Sequence, residues 1–583
     1  MGTFDNTKCL NVQGTLKAST QTDIIDMWGT IFGSPQFDSA KVLDFFGNLG
    51  ALAVGPWEMQ LGNVETVALN QDTISSNFVA NAATPTLSTF LSLGCTGYLT
   101  GIVSGSGVWT IQGGSQTIGG ISYAGTGLLI ASGTNTHSGT INMQAGSNLQ
   151  LGANCSNVAT RALGNLTIGS GATATQMTAY TVSTYLSQAL TNTGTYNVVG
   201  CGTCGAGGLG LATTVANNGI INIDKAMWRN QSTWSGTGTV NVKSGGTFQL
   251  TTNSIPSTTQ INLNGFGWSA LISSVCTELG ALYCTGVNAN ISAKINVQTA
   301  SSIKQAVNGL TNFMGILSGT APLTIGTLGT PINGITHFSN TANTYSGVMT
   351  IDGTTVNASY GNSLQFAKIN LANGGRLSGS ATGTIGSLQS ASSTAYWVMS
   401  DFTNHFIKNN GITTYAGKLL WGGGSNTANV FLEAGVGNQL TITSTGNTVN
   451  IYPRGGSKLI MQGSTFTGTN GQVRVSTGSV VSAGTSTTAS CTYLSIDATS
   501  KLEVRAVGSG VGCINVTTNG VATNAGWKVD LPDVMVAGVY TIITNTGPHS
   551  ATVPVIGTNL SGRTATFAWN TSTNPKTLTM TLI

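Results

Sequence analysis

From about residue 73 onward, apolar and polar positions alternate in short runs, and each run is cut off by Gly, Asn-Gly or Gly-Gly. Period-two alternation marks a strand with one face buried. One phrase recurs imperfectly along the chain. It runs His-Ser-Gly-Thr-Ile-Asn-Met-Gln-Ala-Gly-Ser-Asn-Leu-Gln-Leu from His137 to Leu151, and Trp-Ser-Gly-Thr-Gly-Thr-Val-Asn-Val-Lys-Ser-Gly-Gly-Thr-Phe-Gln-Leu from Trp234 to Leu250. A third copy begins at Asn343 as Asn-Thr-Tyr-Ser-Gly-Val-Met-Thr-Ile-Asp-Gly, with weaker echoes at Ser104 and Ile369. Each unit is a strand, a Gly turn and a second strand, with too little apolar surface to fold alone. Stacked units would bury their inward Ile, Val, Leu and Phe in one continuous core, while outward Thr and Asn form ladders from coil to coil. The pattern predicts an all-β solenoid, a parallel β-helix. An immunoglobulin-like array is the runner-up, but it would show boundaries and Pro-containing linkers about every hundred residues, and none is visible.

The ends differ from the middle. In residues 1–72, Ser34-Pro35 followed by Gln36 to Phe46 and Gly47 predicts a short helix with Pro at its first position and Gly just past its end. This mixed segment reads as an N-terminal cap or attachment region, residues 73–525 as the rod, and residues 526–583 as a C-terminal β cap. The cap contains three alternating runs, at Gly538-Val-Tyr-Thr-Ile-Ile, Phe567-Ala-Trp and Leu578-Thr-Met-Thr-Leu. A solenoid needs covered ends because an open strand edge invites pairing with other chains.

The phrase at Asn343, its relatives at His137 and Trp234, and the stretch Gly538-Val-Tyr-Thr-Ile-Ile resemble the passenger repeats of bacterial autotransporter adhesins, over roughly residues 95–583. The resemblance implies a right-handed β-helix, extracellular exposure and an adhesive role. The chain departs from that family in showing neither a signal peptide nor a C-terminal membrane β-barrel. Both departures favour an excised passenger or a viral structural protein built on the same solenoid.

Charge sharpens the picture. Only 7% of the 583 residues are charged, against roughly 25% in an ordinary domain, while 40% are hydrophobic, too many for a disordered chain. Between Asp72 and Asp224 the only charged residue is Arg161, whereas residues 1–72 carry eight acids and three Lys. Polar ladders, an assembly or a glycan coat must keep the middle soluble. A net charge of +4, scattered along the chain, excludes a nucleic-acid-binding surface. No run of about 18 apolar residues is present, so no transmembrane segment is expected.

Candidate chemistry is sparse. A polysaccharide depolymerase needs carboxylates converging at roughly 5–9 Å, yet between Asp72 and Asp401 the only acids are Asp224, Glu278 and Asp352. Asp497, Glu503, Asp530 and Asp533 lie closer together, but Asp530 and Asp533 flank Pro532 in an expected turn, where solvated Asp is ordinary. His137, His337, His405 and His549 are too dispersed for a metal signature, and nothing calls for a cofactor. Among nine Cys, Cys201 with Cys204, Cys276 with Cys284 and Cys491 with Cys513 are near enough in sequence for local disulfides; buried thiols filling small core slots are the alternative. Trp234, Trp268, Trp397 and Trp421 are candidate platforms for stacking sugars, or else core and corner residues. Sequons for N-glycosylation occur at Asn154, Asn165, Asn230, Asn290, Asn357, Asn515, Asn559 and Asn570, relevant only where the chain meets glycosylation machinery.

The function expected from these features is non-enzymatic: a fibre, spike or decoration protein on a virion surface, engaging a host-surface glycan or protein receptor or neighbouring capsid or fibre subunits, with homo-oligomers compatible. A secreted passenger-type adhesin at the cell surface is the second expectation, and a depolymerase the third.

Overall fold

The structure is a computed structural model. Of residues 1–102 it describes only short strands. Beyond them it describes most of the chain, except 113–115, 119–120, 124–126, 133–134, 153–163, 179–183, 186–188, 201–207, 211–213, 231–232, 252–254, 273–274, 286–288, 307–308, 328–333, 359–360, 380–381, 401–402, 409–410, 423–426, 434, 469–470 and 508–509. The described residues form strands and turns, with no helix, and therefore none long and apolar enough to cross a membrane. The chain forms two compact units, Met1–Lys304 and Gln305–Ile583. Each is a parallel β-solenoid, as the repeat predicts, and the parallel ladders exclude the immunoglobulin-like alternative.

In the first unit successive coils place one strand in each of several sheets. Thr214–Asn217, Ile220–Asp224 and Met227–Asn230 are followed by Thr233–Ser235, Thr239–Val242 and Thr247–Leu250, and each strand pairs in parallel with its counterpart one coil on. Asn222 and Asn241 are in-register neighbours 19 residues apart, which is one coil here. Because a one-residue slip would turn every side chain to the other face, register converts the sequence alternation into columns. Trp109, Ile141, Leu166, Leu190, Val215 and Trp234 form one inward column, every member buried. A second runs through Ala174, Tyr196, Ile221, Val240, Ile261 and Ile295. Between the columns sits an aromatic cluster, with Trp228 lying 5.7 Å from Tyr196, 5.8 Å from Trp234 and 6.1 Å from Phe248 between ring centroids.

The Gly of the recurring phrase marks a corner. A Cβ at Gly139 would lie 1.8 Å from the Gly107 carbonyl oxygen, and one at Gly164 only 1.5 Å from that of Gly139. A second column behaves alike: Gly219 meets the Gly194 oxygen at 2.1 Å, and Gly238 that of Gly219 at 2.4 Å. Here the backbone of one coil rests on the backbone of the coil before it, leaving no room for a side chain.

The second unit repeats the plan. One sheet runs through Asn404–Ile407, Asn429–Leu432, Asn450–Pro453, Gln472–Val475, Thr488–Ile496, Cys513–Thr523 and Gly538–Asn545. Another runs through Gln439–Ile442, Lys458–Met461, Val480–Thr485, Lys501–Val507, Lys528–Leu531 and Val555–Asn559, with Leu440, Leu459, Val481, Leu502 and Val529 as its inward column. At the C-terminus the direction changes. Lys576–Leu582 pairs antiparallel with Gly538–Asn545, and Ala565–Asn570 antiparallel with Lys576–Leu582, so the parallel ladder ends there.

The predicted helix over 36–46 is corrected in its described part. Val42–Phe46 is a strand, paired in parallel with Thr66–Asn70 in the same sheet as Leu87–Leu91 and Trp109–Gln112. Val, Leu and Phe suit a pleat, and a short isolated helix has little stability to set against a ladder. The remainder of that predicted helix lies outside the described residues.

Gly219→Ala should destabilise the first unit by about 1–3 kcal/mol, because a Cβ there meets a backbone oxygen at 2.1 Å. Hydrogen exchange is the appropriate readout, with the loss of protection centred on the coils of Gly194 and Gly219; unchanged protection would contradict the close-approach role.

Candidate functional site

The outward faces carry the polar chemistry of the coils. In the first unit a side-chain amide ladder passes through Asn197, Asn222, Asn241 and Asn262. Each later Asn donates its Nδ2 proton to the Oδ1 of the one before, at 2.8, 2.9 and 2.8 Å, and Asn197 donates to Thr175 at 3.2 Å. Asn404, Asn429 and Asn450 form the corresponding ladder in the second unit, at 2.9 and 3.1 Å. Each amide has both a donor and an acceptor and so satisfies the coil above and the coil below at once. These are the outward ladders the sequence predicts.

Next to the second ladder, on the outward side of the same strands, rings replace amides. Phe406, Phe431 and Tyr452 are in register, half-buried and stacked at 5.1 and 4.8 Å. The Arg454 guanidinium lies 4.2 Å from the Phe431 centroid and ion-pairs with Glu433. Arg474 lies 5.2 Å from the Tyr493 ring. A planar cation on a ring face is weakly hydrated and electrostatically favoured there.

The other outward face holds an ion network. Glu503 Oε2 accepts from Lys458 Nζ at 2.5 Å, and its Oε1 from Arg505 Nε at 2.5 Å. Asp530, the in-register neighbour of Glu503 on the next coil, accepts from Lys501 Nζ at 2.8 Å and from the Thr558 backbone N–H at 2.7 Å. Asp533 accepts from the Ala506 N–H, and Asp497 from the N–H groups of Thr477 and Thr499. Asp530 and Asp533 are thus not the solvated turn carboxylates the sequence led us to expect. Strand register, invisible in the local sequence, brings Glu503 and Asp530 side by side, and each of these four carboxylates is held by at least one donor.

The Trp residues divide. Trp234, Trp268 and Trp397 are 5%, 6% and 2% exposed and belong to the core, so they present no ring face to a sugar; Trp421 is half-buried at the end of Lys418–Trp421. Phe406, Phe431 and Tyr452 were not singled out in the sequence, because their stacking depends on which residues stand one coil apart.

Cys491 and Cys513 are free thiols. The coil spacing is right but the register is not, since Cys491 stands opposite Val516 and Cys513 opposite Thr488. Burial pushes their pKa values up to about 12 and about 11, which leaves little thiolate at neutral pH. Cys284 is buried beside Leu250. Cys276 lies in Val275–Glu278, one arm of an antiparallel hairpin, with its side chain outside the described residues, as are Cys201 and Cys204.

Among the sequons, Asn165, Asn290 and Asn570 are exposed, and Asn357, Asn515 and Asn559 half-buried. Asn230 is buried and accepts the indole N–H of Trp234 at 2.6 Å, which bars it from a glycosyltransferase. Asn154 lies outside the described residues.

His405 is inward and 3% exposed, 2.9 Å from the Thr403 hydroxyl and edge-on to Trp397 at 5.3 Å. Burial lowers its pKa from 6.5 to about 4, the imidazole being kept neutral. No protein-family model matches the chain, and no curated protein matches it.

Two outcomes follow from these contacts. His405 binds a proton more readily when unfolded, so its contribution is complete above pH 6.5 and is lost as pH falls toward 4, an effect of about 3 kcal/mol. Denaturation midpoints of His405→Gln should therefore vary less with pH over that window than those of the parent; parallel curves would refute the assignment. Glu503→Gln should cost about 1 kcal/mol by leaving Lys458 and Arg505 partly unpaired, discounted for the exposure of Arg505, with a loss that diminishes in high salt.

Proposed function

We propose that this chain is a non-enzymatic structural and adhesive surface protein, a fibre, spike or decoration component of a virion that contacts a host surface or neighbouring subunits. The observation that carries this reading is the use made of the outward faces. Amides, stacked rings and ion pairs are bonded from one coil to the next, so the faces are ordered, repetitive and poor in net charge. Such a face suits lateral packing or broad contact with a receptor, in which many weak repeated interactions add. A passenger-type adhesin at a bacterial cell surface is the second reading. It is favoured by the recurring phrase, whose Gly occupies the backbone-on-backbone corner.

A depolymerase draws support from one feature, the adjacency of Glu503 and Asp530 at about one sheet spacing, ~4.8 Å, near the separation used by retaining glycosidases. Their environment favours a structural role. A general acid must have its carboxyl within reach of the leaving-group oxygen, whereas both oxygens of Glu503 are engaged by cations and Asp530 is engaged by a cation and a backbone N–H.

Immunogold labelling of released particles and of cells from the source organism separates the first two readings. Label on particles is expected; label on the envelope with bare particles would transfer the assignment to the adhesin. Incubation with capsule and wall polysaccharides is expected to yield neither new reducing ends nor unsaturated sugars, and products lost in Glu503→Gln would establish the depolymerase instead.

A further inference from the structure

At the C-terminal end of the second unit the two walls of the solenoid stop at different heights. One sheet stops at Val555–Asn559, which pairs in parallel with Lys528–Leu531 and, among the described residues, with no strand on its other side. The other sheet continues past Gly538–Asn545 of the same coil for two more strands, first Lys576–Leu582 and then Ala565–Asn570, whose far edge is likewise open among the described residues. At one sheet spacing per strand, the taller wall rises about 10 Å above the shorter.

The step leaves part of the core uncovered. Ile556 continues the inward column of Leu440, Leu459, Val481, Leu502 and Val529, all of them buried, yet is itself 41% exposed. On the taller wall Phe567 and Trp569 stand in register with the buried Met580 and Leu578, and both rings are only half-buried. Val553, Val555 and Leu560 are 51%, 49% and 62% exposed. Together these side chains leave an open apolar area on the order of 400 Å² per copy, which at the roughly 60% apolar share of an interface corresponds to most of the ~800 Å² per partner in a standard-size complex. Sheet edges ordinarily carry charges that keep other chains away. Neither open strand has a charged residue, and from Val534 to Ile583 the only Asp, Glu, Lys or Arg are Arg563 and Lys576. Both donate to backbone carbonyl oxygens of their own chain, at Met535 and Gly547, which leaves little for a partner of opposite charge to recognise.

We infer that this end joins a second copy of the chain, tail to tail about a two-fold axis, with the taller wall of each copy standing on the shorter wall of its partner. A half-turn about an axis along the strands carries a step onto its own complement. Val555–Asn559 of one copy then extends its ladder with Ala565–Asn570 of the other. The two strands run antiparallel, because the chain reverses between them through residues 560–564. Both walls become continuous, the contact is isologous, and Phe567 and Trp569 become the next members of the partner's Ile556 column. An unrelated strand could pair with one open edge, whereas a second copy closes both edges and fills both steps at once. The inference goes beyond the surface-protein reading and holds for a virion component and an adhesin alike.

The test applies analytical ultracentrifugation to the full chain over a range of concentrations, with hydrogen exchange above and below the association midpoint. A species of twice the 59.3 kDa chain mass is expected, persisting in high salt because neither strand is charged, with protection gained at Val555–Asn559 and Ala565–Asn570. Ile556→Lys and Leu560→Lys should each weaken association about tenfold or more, since each places a charge in the buried joint. Both sites are exposed in the single chain, and an unchanged Tm of the dilute variants would show that they fold. Val436→Lys, at a position 89% exposed and several coils away, should leave association as it is. A chain monomeric at every concentration, a dimer whose protection lies elsewhere, or a dimer indifferent to both Lys variants would overturn the inference, the first of these returning the open end to a partner of another kind. Immunogold labelling is independent of all these outcomes, so the joint and the surface-protein reading fail separately.

Discussion

Everything in this molecule depends on keeping successive coils in register. A strand in a parallel stack has no side-chain environment of its own until the coils above and below are fixed, because its neighbours in space are 19 or more residues away in the chain. Once register is set, the same interaction repeats down each column. Val215 lies between Leu190 and Trp234, Asn222 between Asn197 and Asn241, and Gly219 between Gly194 and Gly238. Three kinds of column, apolar inward, amide outward and glycine at the corner, penalise a slip in three ways. A shifted coil would expose its core, break its amide ladder and drive a Cβ into a backbone oxygen.

This arrangement also explains how a chain with so little charge presents ordered polar surfaces. Amide ladders replace charges over much of the first unit. In the second unit an ion network lies on one sheet, where Glu503 pairs with Lys458 and Arg505, and Asp530 with Lys501. The carboxylates bind neighbouring coils together, as the amides do elsewhere. A similar economy applies to the rings: Phe406, Phe431 and Tyr452 stack on one another, and Arg454 covers part of their surface.

Departures from regularity occur in both units, with register shifts between Leu263 and Gly265, Ser482 and Thr485, Cys491 and Tyr493, and Val529 and Leu531. A perfect ladder is convex or flat and satisfies its own polar groups. The shift between Cys491 and Tyr493 interrupts that pattern and leaves the buried Thr492 opposite Thr517, Thr518 and Asn519.

The sequence by itself determined the class of fold. Alternation, glycine punctuation and the recurring phrase sufficed for a parallel solenoid with outward Asn and Thr ladders, since these patterns are local and repeat often enough to be read. It erred at 42–46, where capping residues suggested a helix and long-range pairing made a strand. Only the tertiary structure decided which residues stand one coil apart. Coil length varies, so register cannot be counted off the chain, and a difference of a few residues decides every pairing. That variation set Cys491 opposite Val516 instead of Cys513, brought Glu503 beside Asp530, and placed Trp234, Trp268 and Trp397 in the core. The inward or outward sense of a strand is written in its own few residues, whereas its neighbours are set by the cumulative length of every turn between them.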